Sequence, residues 1–314
     1  MSEDLSLEVD SRLRGNYESV FWAEEEMVSG KAIVMDGKRL AEEIKETVAA
    51  GVRELGNFGI EVGLALLLVG DNPASKQYFL ATKKAARKVG VTIYEYVLPE
   101  HASMGEILNI VNSVNRDEQI SGVLPLMPFP ARLDTRRVVN AISPGKDVDG
   151  LGAISIGRLQ ADEPTFFIPC TPFGVIRLLD HYGINIRGKN AVVVGKSLAV
   201  GKPLANMLLA REATVTVCHR QTGDLAFFTR AADIICSAAG VKDLIGGPMI
   251  KEGAAVVDIG INVLADGGIV GDVDFGSVRG RAGYLTPVPG GVGPVTIAML
   301  LENTLKSAKR SASP

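Results

Sequence analysis

The sequence predicts an α/β protein of two successive units, each a parallel sheet covered by helices. Three observations carry this. Aliphatic runs alternate with amphipathic stretches along most of the chain, the order that sets parallel strands between crossover helices. Hydrophobic residues make up 46% of the 314 residues but aromatics only 5%, the balance of a layered aliphatic core. Pro144-Gly145, followed by Asp147-Val-Asp-Gly150, breaks the pattern and marks a junction between units.

The elements follow in order. Leu40, Ile44, Val48 and Val52 recur at helical spacing and predict a helix over 38–55. The run 63–69 is a buried strand ending in the turn Gly70-Asp-Asn-Pro73, and 75–89 is the next helix. A strand over 92–98, a helix over 102–115 and a strand over 122–127 complete the first unit. In the second unit, 190–194, 214–218, 234–236 and 255–259 are strands. A helix over 204–210 follows the first of these, and a closing helix spans 297–308.

Composition narrows the function. A net charge of −3 with scattered basic residues points away from nucleic acid and membrane surfaces. No apolar run reaches the roughly 18 residues of a membrane span. Cys170, Cys218 and Cys236 form no metal spacing, and a reducing cytoplasm is the expected compartment. His101, His181 and His219 show no metal-ligand spacing either, and His219 reads as a structural residue at a strand end. Residues 1–29 are acidic and polar, lack a signal-peptide pattern, and read as an extension whose one partner-binding feature is Phe21-Trp22.

The turn after Val194 is Gly195-Lys-Ser-Leu-Ala-Val-Gly201, a G-x-S-x-x-x-G form. Between a buried strand and a helix, it aims backbone N–H groups at a phosphate. Gly195, Lys196, Ser197 and Gly201 are therefore candidate cofactor residues of a Rossmann unit. Arg220 closes the next strand, where an arginine accepts a ribose 2′-phosphate and an acid would favour the free hydroxyl. NADP is expected over NAD.

Several blocks together resemble the methylenetetrahydrofolate dehydrogenase/cyclohydrolase family. They are Val69-Gly-Asp-Asn-Pro-Ala-Ser-Lys-Gln-Tyr78, Lys146-Asp-Val-Asp-Gly150, Ile168-Pro-Cys-Thr-Pro172, Asp258-Ile-Gly-Ile-Asn262, Gly271-Asp-Val-Asp274 and Thr286-Pro-Val-Pro-Gly-Gly-Val-Gly-Pro294. The resemblance covers about 31–310. It implies a folate-binding catalytic domain over 30–150 and a Rossmann domain over 151–294. Residues 295–314 return to complete the first domain. It also implies homodimers, a tetrahydrofolate substrate, and oxidation followed by hydrolysis of the methenyl product. By the same resemblance, Tyr78 stacks on the folate, Asp149 holds the pterin, and Ser75 opens the tyrosine helix. Gly290, Gly291 and Pro294 form the loop beside folate and nicotinamide, and Ile261 joins the cofactor contacts.

Two positions depart from the family. Its catalytic lysine, four residues after the tyrosine, is Thr82, and the glutamine that tunes the lysine is Leu126. Lys83 and Lys84 are turned off the lysine's face. They read as a solvated face or an ion pair, or else as contacts to the folate glutamate tail. Hydride removal depends on orientation and needs no proton transfer, whereas hydrolysis needs a group of tuned pKa. The expected activity is a dehydrogenase with weak or absent cyclohydrolase. The alternatives are a substitute group that restores both activities, a silent folate- or partner-binding paralogue, and a different one-carbon carrier.

Overall fold

The computed structural model describes residues 31–312. The extension with Phe21-Trp22 lies outside the described residues.

The first unit opens with β1 (Ile33–Val34) and α1 (Gly37–Gly56), which Asp36 caps by accepting from the N–H groups of Lys38 and Arg39. It continues with β2 (Gly63–Val69), α2 (Pro73–Val89), β3 (Thr92–Leu98), α3 (Met104–Arg116), β4 (Ile120–Leu126) and α4 (Thr135–Ala141). Strands β3-β2-β4 form a parallel three-stranded sheet. Every residue of β2 and β4 is buried, as continuous apolar runs in a sheet covered on both faces should be.

The second unit contains α5 (Ala153–Gln160), α6 (Cys170–His181), β5 (Asn190–Val194), α7 (Gly201–Ala210), β6 (Thr214–Cys218), α8 (Leu225–Thr229), β7 (Ile234–Ser237) and β8 (Ala255–Asp258). A small antiparallel pair, β9 (Asn262–Val263) and β10 (Ile269–Val270), follows, then α9 (Phe275–Arg279), β11 (Tyr284–Leu285) and α10 (Val292–Ser311). The larger sheet is parallel, in the order β1-β11-β8-β7-β5-β6. Strand β1 lies within the expected first domain, yet it hydrogen-bonds to β11 of the larger sheet. A two-residue strand with a partner about 250 positions away leaves no local signal.

The closing helix α10 packs on α1, α6 and β4. Ser307 Oγ donates to the carbonyls of Ser121 (2.6 Å) and Gly145 (2.7 Å), which ties the C-terminus back to the first unit. Each sheet reverses strand order once: the chain passes from β2 to one side and returns to the other, and β5 does the same. Such switch points are where open α/β sheets bind ligands. No helix among the described residues is long and apolar enough to cross a membrane.

Candidate active site

A cleft of about 770 Å³ is lined by residues of both units, with Met127 after β4 and Val200 of the turn after β5 on its wall; Gly195, Lys196, Ser197, Gly201 and Arg220 do not line it. Tyr78, Asp149, Ile261, Gly290, Gly291 and Pro294 line it, as the sequence places them. Lys38, Gln77, Met127, Thr171, Asp258 and Thr296 line it as well; Gln77, Thr171 and Asp258 belong to the sequence blocks named above, whereas nothing in the sequence marks Lys38 or Thr296.

The tyrosine wall is set by the start of α2. Asn72 accepts from the N–H groups of Ala74 (3.0 Å) and Ser75 (3.1 Å), and Pro73 occupies the first turn, where a missing N–H costs nothing. The helix therefore begins two residues earlier than periodicity predicts. Ser75, Tyr78 and Thr82 recur at i, i+3 and i+7, so they share one face.

Thr82 and Leu126 are both 0% exposed, and neither reaches the cleft. Tyr78 and Ala81 of the same helix form the cleft surface there. The hydroxyls of Ser75 and Thr82 are buried without a hydrogen-bond partner. Leu126 offers no polar atom. Thr82 and Leu126 therefore give this wall no side chain that titrates in the neutral range.

Opposite Tyr78, Asp149 sits after the tight turn of Lys146-Asp-Val-Asp-Gly150. Burial and the nearby charge of Asp147 raise its carboxyl to about 7, while hydrogen bonds from Cys170 work the other way. Asp147 accepts from the N–H of Gly152 (2.8 Å) and from Ser155 Oγ (3.2 Å), and burial raises it to about 6. Desolvation, then the charge of Asp149, hold the Tyr78 hydroxyl well above its ordinary value. Asn303 of α10 donates to the carbonyls of Val148 (2.8 Å) and Ile168 (3.3 Å), so the returning helix fixes the backbone beside Asp149.

The proline-glycine loop is pressed onto the start of α1. A Cβ at Gly37 would collide with the Gly291 carbonyl, and Gly290 has φ +113°, which a side chain would strain. The peptide bonds preceding Pro128 and Pro289 are cis. Beneath the loop, Asp258 accepts from the N–H groups of Gly260, Asp272 and Val273, each within 3.0 Å. Burial still lifts it to about 6. Asp272 in turn accepts from the N–H groups of Ala239 (2.7 Å), Gly240 (3.2 Å) and Val241 (2.9 Å). Both motifs were legible in the sequence as blocks, but their mutual bracing of the loops was not.

At the second switch point Ser197 Oγ accepts from the N–H groups of Val200 (3.1 Å) and Gly201 (3.3 Å). This is an internal cap, and α7 starts at Gly201 rather than at residue 204. A Cβ at Gly201 would collide with the Gly195 carbonyl, and one at Gly195 with the Ala238 carbonyl. The turn thus needs glycine at both positions. Lys196 and Arg220 stand exposed at its edges, with no ion-pair partner among the described residues. His219 is a turn residue: its N–H donates to Thr222 Oγ1, and its Nδ1 accepts from the Gln221 N–H. Cys218 is buried and packs as a small hydrophobe.

Residues 35–149 match the tetrahydrofolate dehydrogenase/cyclohydrolase catalytic domain, and residues 169–312 match the NAD(P)-binding domain of the same family. The chain belongs to this family. The second match includes α10, which packs against elements of both units. The bifunctional protein FolD of Halothermothrix orenii is 50% identical over 277 residues, covering 88% of this chain and 98% of that protein. The crystal structure of the Campylobacter jejuni bifunctional FolD superposes with a TM-score of 0.87 at 47% identity, over 89% of this chain and 99% of that one. The Trypanosoma brucei family enzyme, solved with NADP and an inhibitor, gives 0.88 at 37% identity, over 90% and 99%.

Proposed function

We propose that this chain oxidises 5,10-methylenetetrahydrofolate with NADP+ and has weak or absent methenyltetrahydrofolate cyclohydrolase activity. One observation carries the reading. The two positions that hold the family's proton-transfer pair are Thr82 and Leu126, both fully buried and shut off from the cleft.

The preserved parts serve hydride transfer. The Tyr78 ring and the Gly290-Gly291 backbone bound the cleft on two sides, and orientation of this kind is the main requirement of the step. Asp149 meets the pterin edge and, titrating near neutrality, donates or accepts a hydrogen bond there. As the hydride leaves the methylene carbon, the folate nitrogen lone pairs take up the positive charge, and no proton moves. The residues present fit NADP: Gly195, Ser197 and Gly201 would hold the pyrophosphate, and Arg220 and Lys196 would meet the 2′-phosphate. When bound, NADP+ supplies the hydride acceptor. The named T. brucei relative was solved with NADP, in line with this choice.

Hydrolysis lacks its means. Water attack on the methenyl carbon must be followed by proton movement as the ring opens. A positioned group of suitable pKa is worth roughly 10²–10⁴-fold in such a step. The threonine hydroxyl does not titrate in the neutral range. A separate hydrolase would then consume the methenyl product.

A second reading rests on Asp149. A carboxyl raised to about 7 inside the cleft could replace the lysine as acid–base group, which would keep the chain bifunctional like its named relatives. Product analysis separates the two. The first reading predicts that enzyme, 5,10-methylenetetrahydrofolate and NADP+ accumulate the methenyl compound, which decays no faster than in buffer. Prompt appearance of 10-formyltetrahydrofolate would favour the second.

We also propose the family's homodimer through the cofactor domain. Its larger sheet ends in β6, a free edge with Val217 exposed. Sedimentation analysis tests this, and a monomer at micromolar concentration would rule it out.

A further inference from the structure

A second cavity, of about 360 Å³, lies at the amino-terminal ends of the strands of the larger sheet, the end away from the cleft described above. Ile184, Ala254 and Tyr284 give it an apolar part, and Lys189, Asp233 and Lys251 a charged one. Asp233 is shared between the two lysines. Lys251 Nζ lies 2.5 Å from it and holds it below its ordinary range, the Asn190 N–H donates to it at 3.0 Å, and the charge of Lys189 adds to the pull. Glu252, the other acid of the lining, pairs with Arg281 at 3.8 Å. The cavity adjoins the point where residues 1–30 join the described chain. Tyr284 of its lining is the register partner of Ile33 in β1, two residues after Lys31. There the Ala32 N–H donates to the carbonyl of Arg279, and Arg279 Nε is buried with no hydrogen-bond partner among the described residues.

Residues 1–30 carry eight acidic and two basic side chains, so the remainder of the chain is net positive although the whole is −3. Attached at Lys31, such a segment meets this face at an effective concentration on the order of millimolar. Trp22 lies nine residues before Lys31. That stretch spans up to about 30 Å when extended, against about 15 Å across the strands from β1 to β7. We propose that the amino-terminal extension folds back over this end of the larger sheet, with Trp22 seated in the cavity and Glu24-Glu-Glu26 against Arg279 and Lys189. An indole suits the lining: its apolar body meets Ile184 and Tyr284, and its face meets the lysines. The seat lies apart from the folate and cofactor cleft and does not rest on the functional reading above.

Trp22 is the single tryptophan of the chain, so its fluorescence reports the seat directly. The test is acrylamide quenching of the full native chain beside a synthetic peptide of residues 1–30. The native chain should be quenched at least about threefold less than the peptide, because the ring is enclosed. Lys189→Glu sets a like charge against the glutamates, and Ile184→Asp puts a carboxylate into the apolar lining. Each should bring quenching to within about twofold of the peptide. Glu24→Lys/Glu25→Lys/Glu26→Lys should do the same without touching the folded units, and decides the matter if Ile184→Asp fails to fold. Lys242→Glu, beyond the carboxyl end of β7, should change nothing. Equal quenching of native chain and peptide would overturn the proposal. So would protection that survives Lys189→Glu and the triple variant, which would put the segment elsewhere. Protection lost on dilution would overturn it in favour of a seat between two copies of the chain.

Discussion

The cofactor turn, which meets the cleft at Val200, and the wall behind Tyr78, whose Thr82 and Leu126 stay out of it, contrast in what their side chains can do. At the turn, Gly195 and Gly201 permit no Cβ, Ser197 caps two N–H groups, and Lys196 and Arg220 are exposed with no ion-pair partner among the described residues. The glycines and the Ser197 cap shape the turn, and the proposed cofactor reading gives the two cations a use as well. At the wall, Thr82 and Leu126 fill space, and the one polar atom they add has no partner. On the proposed function, the contrast would make the two chemistries of one cleft separable. Hydride transfer depends on backbone shape around two ligands, whereas hydrolysis depends on one ionisable side chain and the group that tunes it. A chain can lose the second and leave the first intact.

The largest effect should come from restoring the wall. Thr82→Lys with Leu126→Gln should raise methenyl hydrolysis by roughly 10²–10⁴-fold, and far more than either single change, because the lysine needs its hydrogen-bonding neighbour. Equal small effects from all three variants, read by methenyl decay, would break the comparison. Next comes the turn. Gly201→Ala drives a methyl into the Gly195 carbonyl and should lower kcat/KM for NADP+ by about 100-fold, the scale of a misplaced ligand. Arg220→Ala should raise KM for NADP+ by about tenfold or more and leave NAD+ nearly unchanged, since a charge-assisted hydrogen bond is lost for the phosphate alone. Parallel loss with both cofactors would place Arg220 outside the cofactor site.

A smaller effect concerns pH. Asp149 is raised to about 7 and Asp147 to about 6 in the folded chain. Raised carboxyls favour the folded state fully below about pH 4, and that contribution fades as pH rises through the folded values. Asp149→Asn removes one such loss. It should narrow the drop in unfolding free energy between pH 5 and pH 8 by about 1–3 kcal/mol, measured by denaturant titration. An unchanged drop would mean Asp149 ionises freely. The smallest effect is expected at Thr82→Val. Its hydroxyl is already unpaired, so dehydrogenase rate should stay within about twofold and stability should hold or rise slightly. A large loss of hydride transfer would give the hydroxyl a catalytic part denied to it above.

Much of this was legible in the sequence, for particular reasons. Strands β2, β3, β5 and β6 have the bounds predicted for them, because each is an apolar or β-branched run closed by turn residues. Helix starts were less legible. The first turns of α7 and α10 are glycine-rich, Gly201 in one and Gly293 in the other, and such residues read as loop until the packing is known. The short pair β1 and β11 depends wholly on a distant partner. In the site, motif residues were visible because their backbone conformations demand glycine or proline. Lys84 reads from its own helix as a solvated face, an ion pair or a folate-tail contact, and the fold places it in the cleft lining. Lys38 gave no sign at all, since its place depends on α1 meeting that loop. Lys83, read as an ion-pair residue, does pair with Glu95.

The most direct measurement is one preparation of the native chain assayed twice, for NADP+ reduction with 5,10-methylenetetrahydrofolate and for hydrolysis of 5,10-methenyltetrahydrofolate. The account predicts rapid reduction alongside methenyl decay no faster than buffer. Hydrolysis at a rate comparable to the oxidation would contradict it, and would hand the lysine's work to another group in the cleft, Asp149 first.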